Sequence, residues 1–293
     1  MLAARALLVP HLPTLVVDQH RGHHTPMIAA LEAAAARLVE DAPAAVVMLS
    51  ARWESPAPFL VDTGARHRTL TDYSGFGVEV RYDCVGFPAL ARALVAAGQR
   101  ARLRVESGSR GVDSGASVPL HFLFPERRVR VVPISLAPRP AAECRAWGAS
   151  LRAAITTWPE RVAFVVGGLL SNNRHAWNLG RDVPEARAFD ERALGLIARG
   201  AWAELAGVAA EPAGEAQPEA GLRHLEVLRG FVGEAGAGEL RCYEPSPGVG
   251  AALIEFELAP DPAAGPDPEV DHAKRGAPDP AAPGAAPRPT PAA

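Results

Sequence analysis

Short apolar runs alternate with segments of helical periodicity along most of the chain, and this alternation limits the fold more than any other feature. Five runs read as strands: "ARALLVP" at 4–10, "AAVVMLS" at 44–50, "VRVVPISLA" at 129–137, "VAFVVGGLL" at 162–170 and "GAALIEFELA" at 250–259. Helical spacing predicts helices over 27–42, 87–101, 141–158, 184–208 and 220–236, with Pro26 in the first turn of one and Gly98 ending another. Strands this apolar are covered on both faces. The pattern therefore predicts one α/β domain over 1–259, a mostly parallel or mixed central sheet with helices on both faces. The stretch "SRGVDSGASVPLHFLFP" at 109–125 reads as a long loop with a tight turn.

Residues 260–293 are rich in Pro, Ala and Gly and nearly free of large apolar side chains, which predicts a disordered tail that also carries His272. The net charge of −3 is small, and gives no case for nucleic acid or an anionic membrane as a partner. Three scattered cysteines, Cys84, Cys144 and Cys242, form no CxxC pair and point away from a disulfide framework or a cysteine zinc site. No run reaches the length of a membrane span and the first residues read as a strand rather than a signal peptide, so the expected location is the cytoplasm.

In sheets of this kind a ligand sits at the carboxyl ends of the strands. Those ends carry His11 between prolines, "SARWES" with Arg52, Trp53 and Glu54, and "GGLLSNN" with Asn172, while the 109–125 segment adds Asp113 and Ser114. Taken singly, each is more often structural: a packed histidine, a solvated strand-end charge, a turn-forming aspartate. Convergence on one cleft is what gives them functional weight. The "HRGHH" histidines, His20, His23 and His24, read as a solvated loop because Gly22 and Pro26 interrupt any shared helical face. No GxSxG elbow is present.

The ordered motifs "PHLP", "LSARWES", "TDYSGFGVEVRYDCVGFPALARAL", "RGVDSGASVPLHFLFPE", "VPISL", "GGLLSNN" and "AFDERAL" resemble the class III extradiol ring-cleavage dioxygenases, typified by the protocatechuate 4,5-dioxygenase β subunit and the DOPA-dioxygenase-like proteins. The resemblance implies a non-haem Fe(II), held by two histidines and a third ligand, with a further histidine acting on a catecholic substrate. His11 matches the first ligand histidine. Arg52 stands in the second ligand position, Ser114 and Asn172 stand where the family has pocket histidines, and Glu219 lies two residues from a position that some branches use as a ligand. Tyr73, Trp53 and Asp113 fall in motifs expected to shape the pocket. Guanidinium has no lone pair to give a metal, so the resemblance implies the family fold with a doubtful iron site: a non-catalytic subunit or paralogue. Such a chain would assemble with itself or with an active dioxygenase subunit, as the α subunit of 2-aminophenol 1,6-dioxygenase does, and its pocket would be a relic or take a small aromatic or anionic ligand. The alternative is an active Fe(II) enzyme for an aromatic diol or aminophenol that draws in His175 or His224. Both of those histidines read on their own as exposed positions.

Overall fold

Side chains on the central strands point alternately to two separate cores, which is why their sequences are apolar throughout. The computed structural model describes residues 2–71, 81–210 and 214–258. Along the chain its elements are β1 (Leu2–Val9), α1 (Pro13–His20), α2 (Pro26–Asp41), β2 (Ala45–Glu54), β3 (Phe59–Asp62), β4 (Arg66–His67) and β5 (Cys84–Val85). There follow α3 (Pro88–Arg100), β6 (Val105–Gly108), α4 (Ser114–Leu123), β7 (Arg130–Leu136), α5 (Ala141–Thr156), β8 (Val162–Gly167) and α6 (Arg174–Asn178). The chain continues through α7 (Pro184–Ala198), α8 (Trp202–Ala210), α9 (Arg223–Val232), β9 (Glu239–Ser246) and β10 (Val249–Glu257).

Eight strands form one mixed sheet in the order β6-β3-β7-β2-β8-β1-β10-β9. The middle of the sheet, β7, β2, β8 and β1, is parallel, whereas β10 and β9 add antiparallel at one side. On one face Ala6 and Leu8 of β1, Val47 and Leu49 of β2, and Phe164 and Val166 of β8 meet Trp147 and Leu151 of α5 and Phe231 of α9. On the other, Leu7, Val9, Val46, Met48 and Val165 meet Ile28, Leu31 and Leu38 of α2 and Leu120 of α4. Each strand thus feeds two layers of helices, as the predicted α/β architecture requires. Among the described residues no helix is long and apolar enough to cross a membrane.

Several local expectations change. The predicted helix over 184–208 is two helices, because Gly200 adopts a φ of +64° that ends the first. Helix α3 runs through Gly98, which is buried against Val105 and Trp147 and so serves packing rather than termination. The segment read as a loop at 109–125 contains α4, helical and almost wholly buried despite Ser114, Gly115, Ser117 and Pro119. Tyr73 and the tail at 260–293 lie outside the described residues.

Candidate functional site

Because β1, β2 and β8 run parallel, their carboxyl ends open on one edge of the sheet. His11 lies just past β1. Strand β2 pairs with β8 as far as Ser50 opposite Gly167, and its pairing with β7 jumps from Ser50–Ser135 to Glu54–Leu136. Ala51, Arg52 and Trp53 are therefore an irregular insertion in the strand, the kind of bulge that re-aims a side chain at a sheet edge. Leu169 and Asn172 follow β8. Ser114 opens α4, whose first turn crowds onto these strands: a Cβ on Gly115 would lie 2.1 Å from Ser50 Oγ, and one on Gly167 would lie 1.8 Å from the Gly115 carbonyl oxygen. Pro119 has no N–H to return to that carbonyl, consistent with its lying against Gly167 instead. The result is a cleft lined by His11, Leu12, Pro13, Arg52, Ser114, Leu169, Asn172, Arg174, Trp177 and Val249.

Behind the cleft the polar groups are locked to one another. His11 Nε2 donates to both carboxylate oxygens of Glu219, at 2.9 and 3.0 Å. Glu219 also accepts from the Leu169 N–H at 2.6 Å and from Asn172 Nδ2 at 3.0 Å. Burial disfavours the His11 imidazolium and the nearby Arg52 charge does so further, but the Glu219 carboxylate outweighs both and holds the His11 pKa above 6.5. For Glu219, burial pushes upward, and the His11 charge and hydrogen bonds overcome it, so the carboxylate stays ionised. These directions agree: the pair is an ion pair, both members buried.

The structure gathers His11, Arg52, Ser114, Asn172 and Glu219 into this one place. Trp53 and Asp113 sit beside it rather than lining the cleft. Trp53 is buried with the Arg110 guanidinium over its ring, and Asp113 accepts from Ser50 Oγ at 2.6 Å and faces Arg110. His175 is exposed on α6. His224, read from the sequence as an exposed helix position, is instead completely buried, its ring against Gly168. Neither of its nitrogens makes a hydrogen bond among the described residues. Burial drives its pKa down to about 4, with Glu219 opposing that and His11 adding to it, so His224 is neutral. Arg174, Trp177 and Val249 were not foreseen at the cleft; "NNRHAWN" carries no apolar run or motif that would single out Arg174 or Trp177, and Val249 falls one residue before the run read as a strand at 250–259.

The iron that the resemblance implies asks for three donors on one face with open positions beside them. His11 and Glu219 are two donors, but Glu219 spends its lone pairs on four hydrogen bonds. The remaining ligand position holds Arg52, a fixed cation without a lone pair. No group of three or more His, Cys, Asp or Glu placed to hold a metal ion occurs among the described residues. The residues as arranged do not fit an Fe(II) centre of the family type.

Comparison with known proteins bears on the same residues. Residues 5–254 match the family described as the catalytic LigB subunit of aromatic ring-opening dioxygenase. Over 128 residues the chain is 30% identical to a protein of Beta vulgaris named 4,5-DOPA dioxygenase extradiol, a match that covers 39% of this chain and 47% of that protein. The chain thus spans about half the length of that curated relative. Its fold is similar to that of an uncharacterized protein from Escherichia coli K12, with a TM-score of 0.59 at 17% identity over 87% of this chain and 100% of that one. The family match runs from β1 into β10 and takes in every segment that builds the cleft: this chain belongs to the LigB family of aromatic ring-opening dioxygenases.

Proposed function

We propose that the chain is a non-catalytic member of its family, a subunit or paralogue that keeps the fold and the strand-end cleft without the iron chemistry. The observation that carries this reading is Arg52 in the cleft beside a His11–Glu219 ion pair: a permanent cation and an internal salt link occupy the place where metal ligands would face an open centre. Its role is then assembly with a catalytically intact family member, or with itself, in metabolism of aromatic compounds in the cytoplasm. The test is anaerobic reconstitution with Fe(II), followed by iron analysis and a catechol-cleavage assay. Substoichiometric iron and no ring cleavage are expected, and stoichiometric iron with cleavage of an aromatic diol would overturn the reading.

One observation favours a second reading. His224 is buried near His11 and Glu219, and neither nitrogen makes a hydrogen bond of ordinary geometry among the described residues, although the Leu169 backbone lies near enough to raise its pKa, an unusual state for a buried polar side chain. If the His11–Glu219 link opens, these three side chains supply two imidazoles and a carboxylate for a rearranged Fe(II) site. Under this reading the same reconstitution gives bound iron, and His224→Gln lowers it.

A further inference from the structure

We propose that Asp190 of α7 is a positioning residue for Glu219 and Asn172, acting through Ser171 and braced by Tyr243. The proposal goes beyond the non-catalytic reading and does not rest on it, because Glu219 needs the same placement whether it serves the salt link to His11 or a rearranged metal site.

Glu219 is held by the segment that follows β8. Its own N–H donates to the Leu170 carbonyl at 2.9 Å, and its carboxylate accepts from the Leu169 N–H and the Asn172 amide. Ser171 lies in the middle of that segment, and both of its donors go to Asp190. The Ser171 N–H reaches Oδ1 and the hydroxyl reaches Oδ2, each at 2.8 Å. From β9, the Tyr243 hydroxyl donates to the same Oδ2 at 2.9 Å. Ser171 and Asn172 are paired as single β-bridges, opposite Pro218 and Val249, and successive side chains of such backbone point to opposite sides. Anchoring Ser171 on Asp190 therefore turns Asn172 towards Glu219 and the cleft.

Asp190 is itself built in. It is 1% exposed, and a Cβ on Gly250 of β10 would lie 2.0 Å from its Oδ2, so glycine there leaves the carboxylate its room. Burial pushes its pKa up to about 6, and the bonds from Ser171 and Tyr243 oppose that rise. At pH 7 it is mainly ionised, an acceptor for all three donors. Aspartate is a poor helix former, and this one spends its oxygens on a loop 19 residues away.

Two measurements on the full-length chain at pH 7 test the assignment. The first follows the Asn172 side-chain amide pair in a nitrogen–proton correlation spectrum, identified by its absence from Asn172→Ala; Asp190→Asn is expected to shift it. The second is a double-mutant cycle in urea. Asp190→Asn is expected to lower the folding equilibrium constant at least about tenfold in the parent, and less than about threefold in a Glu219→Gln background. Tyr243→Phe removes a single donor and is the gentler probe where Asp190→Asn fails to fold; its smaller loss should shrink in the same way. An aspartate that only braces α7 gives equal losses in both backgrounds. Losses equal within about twofold, an Asn172 amide pair unmoved by Asp190→Asn, or a Tyr243→Phe loss indifferent to Glu219 would each overturn the proposal. Iron content enters none of these outcomes, so failure here is distinct from failure of the non-catalytic reading.

Discussion

At position 52 one side chain decides between two chemistries, because an imidazole donates a lone pair and a guanidinium cannot. Arg52→His places a second imidazole near His11 and withdraws the charge that opposes His11 protonation. We expect this variant to gain bound divalent metal relative to the parent, read by elemental analysis after anaerobic loading; unchanged metal content and unchanged stability would show that Arg52 is not a substitute for the lost ligand. Glu219 is the counterpart. Breaking a buried pair leaves an uncompensated group, so Glu219→Gln should cost on the order of 3 kcal/mol in urea unfolding near pH 6. The sign follows from the shifts. His11 has a raised pKa, so its part of the link is complete below the unfolded value of 6.5 and is lost as pH rises through the raised folded value. Glu219 has a lowered pKa, so its part is complete above the unfolded value of 4.5 and is lost as pH falls through the lowered folded value. The gap between parent and Glu219→Gln should therefore narrow as pH climbs above 6.5. His224 behaves otherwise: with a folded pKa of about 4, the unfolded chain takes up its proton first, and stability falls from pH 6.5 towards 4. His224→Leu should flatten that acid-side loss in thermal melts.

Among the elements, the closest approaches are made by glycines. Gly167 at the end of β8 faces the Gly115 carbonyl of α4, and Gly148 of α5 and Gly230 of α9 each meet the other helix's backbone, where a Cβ would lie 1.9 Å from a carbonyl oxygen. Backbone cannot yield as a side chain does, so Gly167→Ala is expected to destabilise by about 3 kcal/mol or more, with a lower urea midpoint, and to disturb the cleft that α4 closes. These contacts also explain what the sequence concealed. Ser114, Gly115, Ser117 and Pro119 are poor helix formers, yet burial against β2 and β8 makes α4 a helix. Strands β3 and β6 span four residues each, too short for alternation to stand out, and β9 is mostly polar on an edge. In α9, His224 looked exposed because Arg223, Glu226 and Arg229 surround it; Glu226 pairs with Arg145, Arg229 pairs with Glu234, and the helix is buried on most sides.

For the molecule as a whole, the alternation of apolar runs was enough to imply a two-faced α/β domain, since strands buried on both sides carry their own signature. The site was legible in part: the rule that ligands gather at strand ends found His11, Arg52 and Asn172, and the 109–125 segment read as a loop added Ser114. Glu219 was faint because its role depends on a 3₁₀ turn placed by tertiary contacts, and Arg174 and Trp177 carried no pattern at all. Separation along the chain has one more effect. His11 and Glu219 are 208 residues apart, so their link closes a loop spanning most of the domain and cannot form until the sheet between them is assembled. In a stopped-flow series Glu219→Gln should leave the refolding limb nearly where it was and speed unfolding by almost the whole loss in stability. The salt link at the strand ends would then be a latch, the last thing to fasten when the protein folds and the first to give way when it opens.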